Sequence, residues 1–128
     1  MRRRAFLMGS SMIAALPGLA QAQAIDWKRA PVRLLMFERK GCVYCEAWKR
    51  QIGPGYRDSP TGNIAPLTVV DMDGPYPDGL ALARRPIVTP TFVLMRDGME
   101  LGRIEGYTRQ DDFYPALERL YADTGILR

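Results

Sequence analysis

Cys42 and Cys45 are the two cysteines of a 128-residue chain that contains no histidine. Only Val43 and Tyr44 separate them, and the stretch Gly41-Cys42-Val43-Tyr44-Cys45 follows a β-prone apolar run and opens a segment of helical periodicity. Cys42 therefore falls at a helix start. Free backbone N–H groups and the positive end of the helix macrodipole favour a thiolate there, drawing the thiol pKa below its free value of about 8.5. Lys40, two residues earlier, adds positive charge. Cys45 lies one turn further on, on the same face, where it can attack a mixed disulfide formed on Cys42. Cys42 is thus the candidate nucleophile and Cys45 the candidate resolving thiol. No separate base is needed, because the attacking thiolate is already deprotonated.

Three other readings stand beside this one. A purely structural disulfide gains least when the loop it closes is shortest, and this loop is very short. Half of a zinc site would need a second pair from another copy, and the spacing could also be fortuitous. The strand-to-helix setting favours the redox reading. The missing histidine excludes a Ser-His-Asp or Cys-His nucleophile and a His/Cys zinc site within one chain, so no metal is expected. The formal charge of +4 is concentrated at one end. Without residues 1–24 the basic and acidic residues number 15 and 14, too balanced to argue for nucleic acid.

The length suits one domain. Residues 1–24 read as a cleavable export signal: Arg2-Arg3-Arg4, an apolar stretch broken by Gly9 and Pro17, and the small-residue end Ala22-Gln23-Ala24. Arg3-Arg4-Ala5-Phe6-Leu7 resembles the twin-arginine signal, leaving that route open beside the general one. Residues 25–128 form the domain. Strands are expected at residues 32–37, 67–70, 91–95 and 100–105, and helices at 42–52, 80–84 and around Phe113, Leu117 and Leu120. Residues 53–65, rich in proline and glycine, read as a long loop. Asp97-Gly98 suits a tight hairpin. Leu101 and Ile104 have opposite parity on the return strand, so a bulge is expected at Gly102. Pro115 is tolerated in a first helical turn, which puts the last helix's cap at Asp111 or Asp112. Tyr44, Trp48, Tyr107 and Tyr114 read as packing or rim residues, and Arg84-Arg85 as a solvated pair.

This order, with Thr89-Pro90-Thr91 opening the hairpin, resembles the thioredoxin superfamily over residues 31–121. From the residues alone Pro90 is a strand-start proline, since only about 5–6 % of X-Pro bonds are cis. The resemblance implies a three-layer α/β thioredoxin-like fold, βαβ followed by a β-hairpin and a terminal helix. It also implies a cis Pro90 beside the cysteines, with the Thr89 backbone pairing with a substrate peptide. Val43 and Tyr44 join Thr89 and Pro90 as candidate substrate-binding residues. Residues 25–30 are too few for the family's extra strand and helix, so the fold is expected to be trimmed at the N-terminus. Met36 stands where the family places a buried acid. Glu38 and Asp71 are then the candidates for proton handling, each also readable as a solvated surface carboxylate.

A narrower likeness rests on Glu38-x-x-Gly41-Cys42-x-Tyr44-Cys45-x-x-Trp48, Ile52-Gly53-Pro54, Ala65-Pro66-Leu67 and Gly102-Arg103-Ile104-Glu105-Gly106-Tyr107. These are similar to the periplasmic thioredoxin-like proteins of sulfur-oxidation gene clusters, the SoxS-like group. That likeness implies a reductase that keeps a sulfur carrier protein's cysteine free; similar exported thioredoxins serve cytochrome c maturation. Val43-Tyr44 is neither the Gly-Pro of thioredoxin nor the Pro-His of strong oxidants, and approaches the Pro-Tyr of glutaredoxins. With no imidazole to stabilise the thiolate further, a reductant is expected. The resulting expectation is a periplasmic, monomeric thiol-disulfide oxidoreductase whose only redox group is the Cys42-Cys45 disulfide. It would act on protein disulfides or persulfides and be recharged by a membrane thiol donor. A non-catalytic binding or chaperone module using the Pro90 groove, and an oxidase or isomerase, are the alternatives.

Overall fold

The computed structural model describes residues 24–127 and Gly9, so the rest of the stretch read as an export signal lies outside the described residues. The elements run β1 (Val32–Glu38), α1 (Val43–Gln51), α2 (Gly53–Tyr56), α3 (Pro60–Ile64), β2 (Leu67–Asp71), β3 (Thr91–Arg96), β4 (Met99–Glu105) and α4 (Gln110–Thr124). The sheet has the order β2-β1-β3-β4, with β1 and β2 parallel and the other pairs antiparallel. β1 reads as a continuous apolar run because both of its faces are covered. Leu34 and Met36 join Cys45, Trp48, Phe92, Phe113, Leu117 and Tyr121 in one cluster, while Leu35 and Phe37 join Val70, Met72, Val93 and Met95 in another.

Residues 53–65, expected to be a loop, fold into α2 and α3. Proline and glycine act here as first-turn residues rather than breakers. Pro54 and Pro60 occupy positions whose N–H has no intrahelical partner, and the Ser59 hydroxyl accepts the Gly62 N–H at 2.9 Å. Buried Tyr56 fastens the segment by donating its hydroxyl to the Ala65 carbonyl at 2.6 Å.

The short helix expected at 80–84 does not form. Ala81 instead exchanges backbone hydrogen bonds with the hairpin, donating to Gly98 at 2.7 Å and accepting from Glu100 at 3.0 Å. The second face of the sheet is therefore covered by irregular chain, through Ile25, Trp27, Tyr76, Leu80 and Leu82. Arginines tie that cover down. Arg39 pairs with Asp73 at 2.8 Å, Arg85 stacks over Tyr76 at 5.0 Å, and Arg103 donates to the Arg84 carbonyl at 2.7 Å.

The bulge forms beside Gly102. Leu94 pairs with Gly102 but Met95 pairs with Glu100, so Leu101 is the extra residue, and Leu101 and Ile104 both reach the first cluster. A side chain at 102 would meet Leu120 Cδ1 at 2.7 Å, so helix α4 lies close over this glycine. The same bulge brings Glu100 and Arg103 to one face, where both side chains are 5 % exposed and Arg103 donates Nε and Nη2 to the carboxylate at 2.9 and 2.6 Å.

Burial alone raises the Glu100 carboxyl, but the Arg103 hydrogen bonds, the Ala83 N–H and the charges of Arg103 and Arg84 outweigh it and hold the group below its ordinary 4.5. A carboxyl lowered on folding contributes stability that is present above its unfolded pKa and lost as pH falls through the folded one. Melting temperature is expected to decline as the pH drops below that ordinary value. The decline should be shallower in Glu100→Gln, and an unchanged acid limb would remove this pair from the account.

Helix α4 begins at Gln110, with Arg109 rather than Asp111 or Asp112 at its cap. Pro115 consequently lies beyond the first turn. The cost is limited to one lost hydrogen bond, to the Asp111 carbonyl, at a position where Pro115 is exposed. Asp111 and Asp112 instead supply first-turn negative charge at the positive end of the helix.

Candidate active site

The end of β1 turns into α1 through Gly41, whose φ of +82° is a backbone conformation that favours glycine. Cys42 follows with extended backbone as the N-cap of α1, and its Sγ accepts the Cys45 N–H at 3.1 Å. The two sulfurs are joined as a disulfide. Their surroundings differ. Cys42 is half-buried, whereas Cys45 is fully buried in the cluster that contains Trp48. An incoming sulfur can reach Cys42 from solvent but not Cys45. On reduction, the N–H that now meets Cys42 Sγ and the start of a nine-residue helix would favour negative charge on that sulfur.

β3 starts antiparallel to β1 with Thr91 opposite Phe37, which brings Thr89 and Pro90 to the same end of the sheet as Cys42. The Thr89–Pro90 bond is cis, Thr89 is half-buried and Pro90 is buried. Two hydrogen bonds hold this loop. Gly106 N–H donates to the Pro90 carbonyl at 2.8 Å, and the buried Thr91 hydroxyl donates to the Val88 carbonyl at 2.6 Å. Seven large apolar side chains stand exposed among the described residues, and four of them lie next to these features: Val43 (73 %) and Tyr44 (58 %) between the cysteines, Ile87 (82 %) and Val88 (42 %) before Pro90.

Glu38 ends β1 and forms an ion pair with Lys49 of α1. The hydrogen bond that the Lys49 ammonium donates to Glu38 is the main reason Lys49 titrates above its usual range. Asp71 lies opposite Glu38 in the β1–β2 register, is exposed, and accepts the Asp73 N–H at 2.9 Å. No hydrogen bond among the described residues joins either carboxylate to a sulfur. Sequence reasoning missed Ile87 and Val88, the Thr91 tether and the Glu100–Arg103 pair. The last had a signal, because the bulge that aligns Leu101 with Ile104 must also align residues 100 and 103.

A family model described as a thioredoxin-like domain matches residues 19–121. The chain belongs to the thioredoxin-like family. Among solved structures, that of the periplasmic thioredoxin SoxS from Paracoccus pantotrophus, in its reduced form, is similar to this thioredoxin-like chain at 48 % identity with a TM-score of 0.70, covering 72 % of this chain and 97 % of that one. The thioredoxin pre-protein of Schistosoma mansoni (12 % identity, TM-score 0.51, 73 % and 85 % covered) and thioredoxin f2 of Chlamydomonas reinhardtii (12 %, 0.50, 70 % and 78 %) share the fold. None of the curated proteins matches the chain. Membership in the thioredoxin-like family, together with a C-x-x-C disulfide, makes the protein a thiol-disulfide oxidoreductase. The expected α/β thioredoxin-like fold is the one observed.

Proposed function

We propose that the protein is an exported, periplasmic reductase of protein disulfides and persulfides, with Cys42 as nucleophile and Cys45 as resolving thiol. The observation that carries this reading is the asymmetry of the pair: a half-buried cysteine capping a helix and a fully buried cysteine one turn behind it. The Cys42 thiolate attacks one sulfur of a partner disulfide and expels the other as a thiolate, forming a mixed disulfide. Cys45 then attacks Cys42 Sγ, releases the reduced partner and leaves the Cys42–Cys45 disulfide. With a persulfide, attack on the outer sulfur expels the partner's cysteine thiolate, and Cys45 then displaces hydrogen sulfide. Each turnover leaves the enzyme oxidised by two electrons, so a dithiol donor in the membrane is proposed to restore the thiols. No cofactor other than this disulfide is involved.

The likeness to a periplasmic thioredoxin supports the compartment, and with it the reading of residues 1–24 as an export signal; the partner is proposed to be a sulfur carrier protein. The enzyme is proposed to act as a monomer. Val43, Tyr44, Ile87 and Val88 form the apolar rim on which the partner docks, while the Thr89 backbone beside cis-Pro90 pairs with its extended segment. Glu38 is proposed to exchange protons with the pair while held by Lys49, and exposed Asp71 to serve only as its relay to solvent.

Ile87→Ser tests the docking rim. It should lower kcat/KM for a protein disulfide about tenfold, the scale expected for losing one buried aliphatic anchor, while leaving the rate with a small aromatic disulfide unchanged. Equal losses with both substrates would show that Ile87 acts on the chemistry or the fold rather than on docking.

A further inference from the structure

At the far end of the sheet from the disulfide, where the parallel strands β1 and β2 begin, lies a cavity of about 600 Å³. Arg29, Arg33 and Arg57 line it, with Asn63 and buried Tyr56, and among the described residues no acidic side chain does. None of these three arginines forms an ion pair among the described residues, whereas Arg39, Arg84 and Arg103 do. The carboxylate of Asp26, just before them in the chain, is directed to the backbone N–H groups of Lys28 and Arg29 at 3.1 and 3.3 Å.

Arg33 is held as a fixed donor. Its Nε and one Nη donate to the carbonyls of Ala30 and Asp26 at 3.1 and 2.8 Å, and its guanidinium lies 6.0 Å from the Trp27 ring centroid. Those bonds neutralise none of its charge, and among the described residues no hydrogen bond engages the second Nη. Three guanidiniums around one concavity, with no carboxylate among the described residues that line it, make it favourable for an anion. The rest of the domain makes this concentration conspicuous, since its basic and acidic residues nearly balance.

We propose that this cavity is a binding site for a multivalent oxyanion, with Arg33 as the preorganised donor and Arg29 and Arg57 closing on the ligand from the rim. Guanidinium suits such a ligand because its planar fork can give two parallel hydrogen bonds to one oxyanion group. The site is separate from the redox pair and does not depend on the function proposed for it.

Calorimetric titration of the full chain with inorganic pyrophosphate at constant ionic strength tests the site, with the melting temperature followed in parallel. Saturable binding with one site per chain is expected, together with a melting temperature that rises with ligand concentration. Arg57→Gln, at an exposed position whose side chain forms no hydrogen bond or ion pair among the described residues, should weaken binding about tenfold or more. Arg33→Gln should do the same, and Arg57→Gln keeps the test decisive if Arg33→Gln loosens the N-terminal segment. Heats that never saturate, or an affinity unchanged in Arg57→Gln, would overturn the proposal. The rate with a small aromatic disulfide should be the same in Arg57→Gln and the parent, marking the loss as local to the cavity.

Discussion

Cys45→Ala is expected to convert the enzyme from a turnover catalyst into a trap. Cys42 remains at the helix start with its attack intact, while the group that would release the partner is gone. The mixed disulfide should therefore accumulate and survive until an external thiol is added. Turnover should fall by about three orders of magnitude or more, because release would depend on a dilute thiol instead of one held a helical turn away. Cys42→Ala should abolish both turnover and trapping, since Cys45 is fully buried and cannot meet a partner sulfur in solution. Non-reducing electrophoresis with a disulfide-bearing protein separates the variants. Equal trapping by both would reverse the assignment of roles, and trapping by neither would end the two-cysteine mechanism. In cells that export the protein, the Cys45→Ala adduct also identifies the physiological partner.

The second large effect lies away from the sulfurs. Arg103→Met is expected to destabilise the fold by about 3 kcal/mol, the low end for breaking a buried pair, because it leaves the buried Glu100 carboxylate without its guanidinium partner. Adding Glu100→Gln should recover much of that loss, since the penalty belongs to the orphaned charge more than to the missing attraction. The pair also has a positioning role. Glu100 accepts the Ala83 N–H at 3.0 Å and Arg103 donates to the Arg84 carbonyl, so together they fasten the segment that leads to Thr89 and Pro90. Arg103→Met should therefore raise KM for a protein disulfide more than it lowers kcat, with the potential of the cysteine pair unmoved. Urea denaturation and steady-state kinetics on the same preparations check both statements. A double variant no more stable than Arg103→Met would show that the penalty does not come from Glu100.

The sulfur chemistry and the framework around it were legible because they depend on local signals. A β-prone run, a C-x-x-C at a helix start, Asp97-Gly98 and the parity conflict between Leu101 and Ile104 each point to one geometry. Asp97 and Gly98 do take positive φ, and the bulge lies where that conflict requires it. The misses share a different cause. Residues 53–65 form helices because buried Tyr56 and the Ser59 cap hold them, and a reading of proline and glycine as breakers cannot register that anchoring. Residues 80–84 carry weak helical patterning that loses to backbone pairing with the hairpin, a contact between segments distant in the chain. At the start of α4 the choice turned on how much one proline costs; burial of Phe113, Leu117 and Tyr121 outweighs a single absent hydrogen bond. Exposure of Ile87 and Val88 was illegible for a similar reason. Two β-branched residues before a strand carry no local sign of which way they face, and in the fold both stand exposed.

The central claim is that the Cys42–Cys45 pair is a catalytic reductant, and its equilibrium reduction potential tests this most directly. The mature protein would be titrated against dithiothreitol and glutathione mixtures, with thiol trapping to count the reduced fraction. The account predicts rapid exchange and a value near that of thioredoxin, about −270 mV, because no imidazole is present to stabilise the thiolate form towards the oxidising range. A value near about −120 mV would make the protein an oxidant, and a pair that exchanges with neither couple would make it a passive bridge; either result would contradict the claim.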